Sequence, residues 1–377
     1  MVKKFNFGKA LFSLLLLFCI FGCEKRAESP FESHNTFEKS SNVPLEIQQI
    51  PADDLLGASD TLSYPQNYSF IPTFLGDDGV AYGYSEDQKS LSISLIALDT
   101  SSNKYTNLYS VNKESAPITL GVYYADSDFV LINEYHYASS ESKYLVLEKE
   151  TGQARKILSF ENVPPLHLTE ADRYADAFYI NTSDSSGNYL IYEYHLTTGS
   201  VEIIESENSG FPTIYKDDLF YIQFDNLNTK SKLLKYSIKA KEKVVIATTT
   251  QKEEFFNGLY SNGEEFILFR QVGDSIEVER GDIDHLTPFI KVNSAELPVY
   301  SRHYFSFIGT PKDGDGRRMR SQLYDVEKNI EYMYDDSVLY LSQSGILWVE
   351  YLKAESEIET GQIFKKENSV IRYFSFN

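Results

Sequence analysis

A polar turn between two short strand-like segments recurs along the chain, and this recurrence constrains the fold more than any other feature. It reads IALDTSSNKYTNLYSV, LEKETGQARKILSF, YHLTTGSVEIIES, YSIKAKEKVVIAT, GDIDHLTPFIKV and YDVEKNIEYMY. Aligning the phrases puts Leu98, Lys149, Leu196, Ile238, Ile283 and Val326 at equivalent positions, all apolar except Lys149. Their spacings of 51, 47, 42, 45 and 43 residues lie close to the ~40–50 expected of a propeller blade. Two more strand-like segments precede each phrase, for example LGVYYADSD then FVLINEYHY, or PTIYKDD then LFYIQFDN. Four strands per unit is the blade pattern.

Texture supports the same reading. The apolar segments are only four to eight residues long, and polar turn clusters such as Gly76-Asp77-Asp78-Gly79 and Ser261-Asn262-Gly263 separate them. Short strands at this spacing predict an all-β chain. The 28 Tyr and 25 Phe are residues that strands favour. Six phrases define six units, and residues 338–377 add three strands, VLYLSQS, ILWVEYL and VIRYFSF. The strand-like segment from Val43 to Ile50 is then expected to supply the missing fourth strand. Pairing the two ends of the chain in this way removes exposed sheet edges. The expectation is a propeller of seven four-stranded blades closed by N- and C-terminal strands, with six blades as the rival.

The first residues, MVKKFNFGKALFSLLLLFCIFGCEKR, belong to a different class. Lys3, Lys4 and Lys9 precede an apolar run from Ala10 to Phe21, too short for the ~20 residues of a membrane-spanning helix. Ile20-Phe21-Gly22-Cys23 resembles the cleavage box of a bacterial lipoprotein signal, although Phe21 departs from the usual small residue. The resemblance implies that residues 1–22 are a signal peptide and that Cys23 is lipidated. Several acyl chains on one cysteine suffice for stable anchoring. Residues 23–42, rich in Glu, Ser, Lys and Asn, read as a flexible tether, and residues 43–377 as the propeller domain. Both cysteines, Cys19 and Cys23, lie in the leader, so a disulfide framework or a thiol site in the body is excluded.

Charge narrows the partners. The chain carries a formal −20, and loss of Lys3, Lys4 and Lys9 with the signal takes it to −23. Such an acidic surface repels nucleic acid and anionic headgroups. The body, expected to be monomeric, thus hangs beside the membrane to which Cys23 fixes it. The body resembles the β-propeller lipoproteins of Gram-negative bacteria and, in outline, TolB-like and YVTN-type propellers. That likeness rests on period and texture, without a recurring WD dipeptide or a true Asp-box. It implies a fold and a location in the cell envelope, at the outer membrane or periplasmic face, and no chemistry.

Catalytic motifs are missing from the sequence. No HExxH, G-x-S-x-G, P-loop or GxGxxG occurs, and no cofactor is expected. The acid pairs Asp77-Asp78, Asp217-Asp218 and Asp335-Asp336 fall at turns, where Asp bonds the local backbone. His136 and His303 lie in the inner halves of their units and are candidate binding residues; no metal site is assigned to them. The loop PKDGDGRRMR at 311–320 groups basic residues in an acidic chain. Its Arg317, Arg318 and Arg320 are candidates for gripping a carboxylate-bearing partner or anionic glycan. Tyr123, Tyr124, Tyr215 and Tyr260 are placed to line one mouth of the channel. The leading expectation is a non-enzymatic, lipid-anchored binding or scaffold module for a protein or glycan. The alternative is a channel-centred lyase or hydrolase acting on carbohydrate or peptide.

Overall fold

The computed structural model describes residues 48–376 apart from 66–68, 88–91, 113–116, 163–169, 185, 226–229, 250–253, 274, 293–295, 310–319, 334–336 and 353–367. Cys23 and the tether therefore lie outside the described residues. The chain forms seven sheets of four antiparallel strands, one of them extended by a fifth strand. Blades 1 to 6 are built in sequence from residues 71–112, 118–160, 170–205, 209–248, 254–292 and 296–333. Blade 7 takes three strands from the C-terminal end, Ser337–Leu341, Gly345–Tyr351 and Ser369–Ser375. The prediction of seven blades holds, and six is excluded.

The closing strand differs from the expected one. Asp60–Leu62 pairs antiparallel with Ser369–Ser375 and completes blade 7. Gln48–Pro51 instead pairs parallel with Ile330–Met333, adding a fifth strand outside blade 6; Val43 to Ile47 lie outside the described residues. Side chains explain the choice. Leu62, 4% exposed, enters the seam between blades 7 and 1 with Phe70, Leu347 and Ile371, whereas Gln48-Gln49-Ile50-Pro51 has no apolar alternation and stays largely exposed. A five-residue helix, Asp53–Gly57, links the two strands and buries Leu55 between blades 6 and 7.

The hydrophobic core consists of seven wedges, one between each pair of neighbouring blades. The second strand of blade 3, Ala177–Ser183, is buried at every position. Successive side chains on a strand point to opposite faces. Phe178 and Ile180 therefore meet blade 2, while Ala177 and Tyr179 meet blade 4. Middle strands sandwiched in this way are apolar on both faces, which is why their sequences lack a clean alternation. The outermost strands, such as Gln153–Phe160, are mostly exposed.

The repeat alignment needs one correction. The backbone N–H of Lys149, Leu196 and Val326 each donates to the carbonyl just before the second strand of its own blade, on Asp128, Asp176 and His303 respectively. In blade 1 the residue making that bond is Thr100, to Gly79. The true equivalent of Lys149 is Thr100, two residues beyond Leu98, which packs in the core at 0% exposure.

Candidate functional site

Blades 1 to 6 turn from the first to the second strand, and from the third to the outermost, on the same side of the ring, and the first-to-second turn of blade 7 joins them there. This turn face is tied together by bonds between neighbouring blades. Lys149, at the turn after the third strand of blade 2, pairs with Asp78 in the first turn of blade 1. Its Nζ also donates to the Tyr82 hydroxyl at 3.0 Å and the Asp126 carbonyl at 3.0 Å. One blade further, Arg173 pairs with Asp126 and stacks 4.9 Å from the Phe129 ring centroid. Burial pushes the Asp126 carboxyl up, but N–H donation from Phe129 and Asp128 and the Arg173 guanidinium outweigh it and hold it below the ordinary range. Asp77, next to this network, is raised by burial despite the Gln343 N–H, 2.8 Å away.

The channel contains two carboxylates that sequence reasoning missed. Glu170 and Asp172 stand on the innermost strand of blade 3, Glu170–Tyr174, two residues apart and so on one face. Glu170 accepts from the Phe211 N–H at 2.7 Å and the Tyr260 hydroxyl at 3.3 Å. Asp172 accepts from the Ile214 N–H at 2.8 Å and its neighbour Arg173 N–H at 2.7 Å. Both keep some surface on the channel yet are enclosed by protein. Desolvation overrides the donors and pushes Glu170 up to about 7 and Asp172 to about 6. The innermost strand of blade 4 has a register shift between Gly210 and Thr213. This irregularity lies where its N–H groups turn toward the two acids.

On the turn face of blades 5 to 7 the network opens into a cavity of about 310 Å³, lined by groups that include Asn262, Glu264, Arg280, Arg302, His303 and Glu327. Asn262 Oδ1 accepts from the Glu264 and Glu265 N–H groups, each at 2.9 Å, and shapes the rim. Tyr300 donates to Glu265 at 2.7 Å. Arg302 donates to the Phe376 carbonyl at 2.9 Å, and Arg280 lies 5.4 Å from the Phe289 ring centroid. Val326, also lining this cavity, occupies the repeat position that Lys149 holds in blade 2.

The sequence candidates separate. His303 sits in the first turn of blade 6 and lines the cavity, tilted against Tyr304 with centroids 4.2 Å apart. His136 ends the second strand of blade 2, on the opposite face, where it contacts Glu134 and lies 3.2 Å from Lys143 Nζ. The two histidines do not converge. Arg317 and Arg318 lie outside the described residues, and Arg320 opens the third strand of blade 6. Of the tyrosines, Tyr260 reaches Glu170, but Tyr215 is 2% exposed and packs into the wedge between blades 4 and 5. Tyr124 bonds Asp126 at 3.2 Å, and Tyr123 packs against the wedge between blades 2 and 3. Among the described residues no group of three or more His, Cys, Asp or Glu is placed to hold a metal ion. Nor is any helix among them long and apolar enough to cross a membrane.

No protein-family model matches the chain, and no curated protein matches it in sequence. Solved structures do. The β-propeller domain of the Trilobed protease from Pyrococcus furiosus, reported with an open velcro topology, aligns at TM-score 0.54 and 9% identity over 82% of this chain and 94% of that one. One of two prolyl endopeptidases aligns at TM-score 0.51 and 12% identity over 75% of this chain. The match covers 46% of that chain, so this protein spans about half the peptidase's length. TolB from Acinetobacter baumannii aligns at TM-score 0.44 and 13% identity, over 89% of this chain and 86% of that one, too loosely to add to the argument. At these identities the likeness shows the fold alone: the chain is a seven-bladed β-propeller with relatives in shape among peptidase propellers.

Proposed function

We propose that the protein is a binding or scaffold module of the cell envelope, anchored through lipidated Cys23, that engages a protein or glycan partner with its turn face. The observation carrying this reading is the polar cavity between blades 5 and 7, assembled from the turns of three successive blades. Recognition sites favour such concave places where a few polar groups converge. Turns on a rigid scaffold are also where binding residues concentrate. Replacing Cys23→Ser should release the chain from the membrane fraction. A photo-cross-linking residue at Glu264, on the turn face, should give envelope adducts that one at Tyr137, on the opposite face, does not. Equal labelling from both positions, or none from either, would remove the reading.

A second reading has its own observation. Glu170 and Asp172 are two channel carboxylates whose raised pKa values suit proton transfer near neutral pH. It supports a channel-centred lyase or hydrolase acting on carbohydrate or peptide. Both acids, however, are engaged by the backbone of blade 4, which favours a structural role. An activity that survives Glu170→Gln and Asp172→Asn together would discard this reading.

A further inference from the structure

Among the described arginines, Arg173, Arg270 and Arg372 each hold a carboxylate. Arg280 and Arg302 hold none, although acids outnumber bases in this chain by 55 to 35, and both line the same cavity. Arg280 is partly buried and rests on Phe289; Arg302 meets a backbone carbonyl. Glu264 and Glu327, on the same cavity wall, likewise hold no cation among the described residues. Glu265, also lining the cavity, accepts from the Tyr300 hydroxyl. Three acids and two bases, none of them ion-paired among the described residues, thus surround one polar space. Elsewhere on this face opposite charges pair between blades, Lys149 with Asp78 and Arg173 with Asp126.

We propose that this cavity binds a small zwitterion, a free α-amino acid or short peptide carrying both an ammonium and a carboxylate. Resting on the binding-module reading, this names the ligand class of its turn face. The carboxylate is taken by the Arg280 guanidinium, whose planar fork suits two carboxylate oxygens. Arg302 lies nearby, and the ammonium faces Glu264 and Glu327 at the rim. Asn262 and His303 add polar contacts. The volume, about 310 Å³, is at the lower end for small-molecule sites and suits a ligand of this size. A ligand of single sign would leave either the two arginines or the acids of the cavity unmatched.

Calorimetry on the full-length chain in detergent tests this with L-alanine, the dipeptide Ala-Ala, N-acetyl-alanine and alaninamide. The expected result is binding of L-alanine or Ala-Ala, with the first and second arms separating amino acid from peptide. Blocking either charge should weaken binding at least tenfold. Arg280→Gln and, independently, Glu327→Gln should each do the same, while Arg155→Gln, which holds Tyr194 and the Leu196 carbonyl on blade 3, should not. Binding of alaninamide as tight as that of L-alanine, or no binding up to millimolar concentration, overturns the proposal. The partner reading stands or falls separately. Cross-linked adducts from Glu264 that persist in a chain without zwitterion binding keep the face and discard the ligand. Zwitterion binding without adducts does the reverse.

Discussion

Blades 1 to 3 and blades 5 to 7 present the same turn face built in two ways. On the first side the first-turn acids of blades 1 and 2 are each closed by a cation from the next blade: Asp78 by Lys149 and Asp126 by Arg173. On the second side the acids Glu264, Glu265 and Glu327 and the bases Arg280 and Arg302 line a cavity and form no ion pair with one another. One repeat position explains much of the difference. Where blade 2 has Lys149, long enough to reach its neighbour's acid, blade 6 has Val326, 1% exposed and packed into the wedge. A propeller has a single scaffold position per blade at this point. It can use that position to fasten the ring or to leave a recess, but not both.

The largest expected effect tests the seam between the two sides. Leu62→Ala should cost about 3 kcal/mol, the loss typical of a buried leucine, whereas Ile50→Ala in the added strand of blade 6 should cost about 1 kcal/mol or less. Urea unfolding would measure both, and equal losses would undo the assignment of the closing strand. Next, Lys149→Val converts a fastened position into its open counterpart. It leaves Asp78, 10% exposed, without its cation and should cost about 2–3 kcal/mol. Glu264→Gln or Glu327→Gln on the open side should stay within about 0.5 kcal/mol in the same unfolding experiment. If the open-side changes cost as much as Lys149→Val, the contrast between the sides is wrong.

Acid dependence offers a finer separation. Glu170 and Asp172 have folded pKa values of about 7 and about 6, above the unfolded values near ~4. Their protonated forms are favoured by folding. The stability they contribute is therefore present at low pH and lost as pH rises through about 6 and then 7. Asp126 runs the other way: its folded pKa is lowered, so its contribution is present above the ordinary carboxylate range and lost on acidification. Unfolding measured from pH 5 to pH 8 should show wild type losing stability relative to Glu170→Gln with Asp172→Asn. A flat difference curve would mean that neither acid is perturbed.

Much of the fold was legible in the sequence because the blade is a local, repeated unit. The apolar phrases and their spacing pointed to seven blades, and Lys149 was visible as a basic residue at a repeat position. Its partner was not visible. Asp78 lies 71 residues away, and nothing in either segment marks the other. Glu170 and Asp172 were overlooked for a similar reason. EADRY carries no motif, and its acids become unusual only where the backbone of blade 4 and Tyr260 of blade 5 meet them. Of the two histidines singled out, His303 reached the cavity because it lies at a first turn, and His136 fell on the far face because it ends a second strand.

The sequence by itself determined the strand class, the period, a preference for seven blades over six and the leader's resemblance to a lipoprotein signal. Each of these is written in contiguous residues, where alternation and turn chemistry act over a few positions. Closing the ring decided the rest: that three residues, Asp60–Leu62, finish blade 7, that two channel acids are desolvated, and that charges of both signs gather around one recess. These depend on which blades become neighbours and how far a side chain reaches between them. A burial or a charge pairing across hundreds of residues has no energy until the ring is closed, so it leaves no local mark to read.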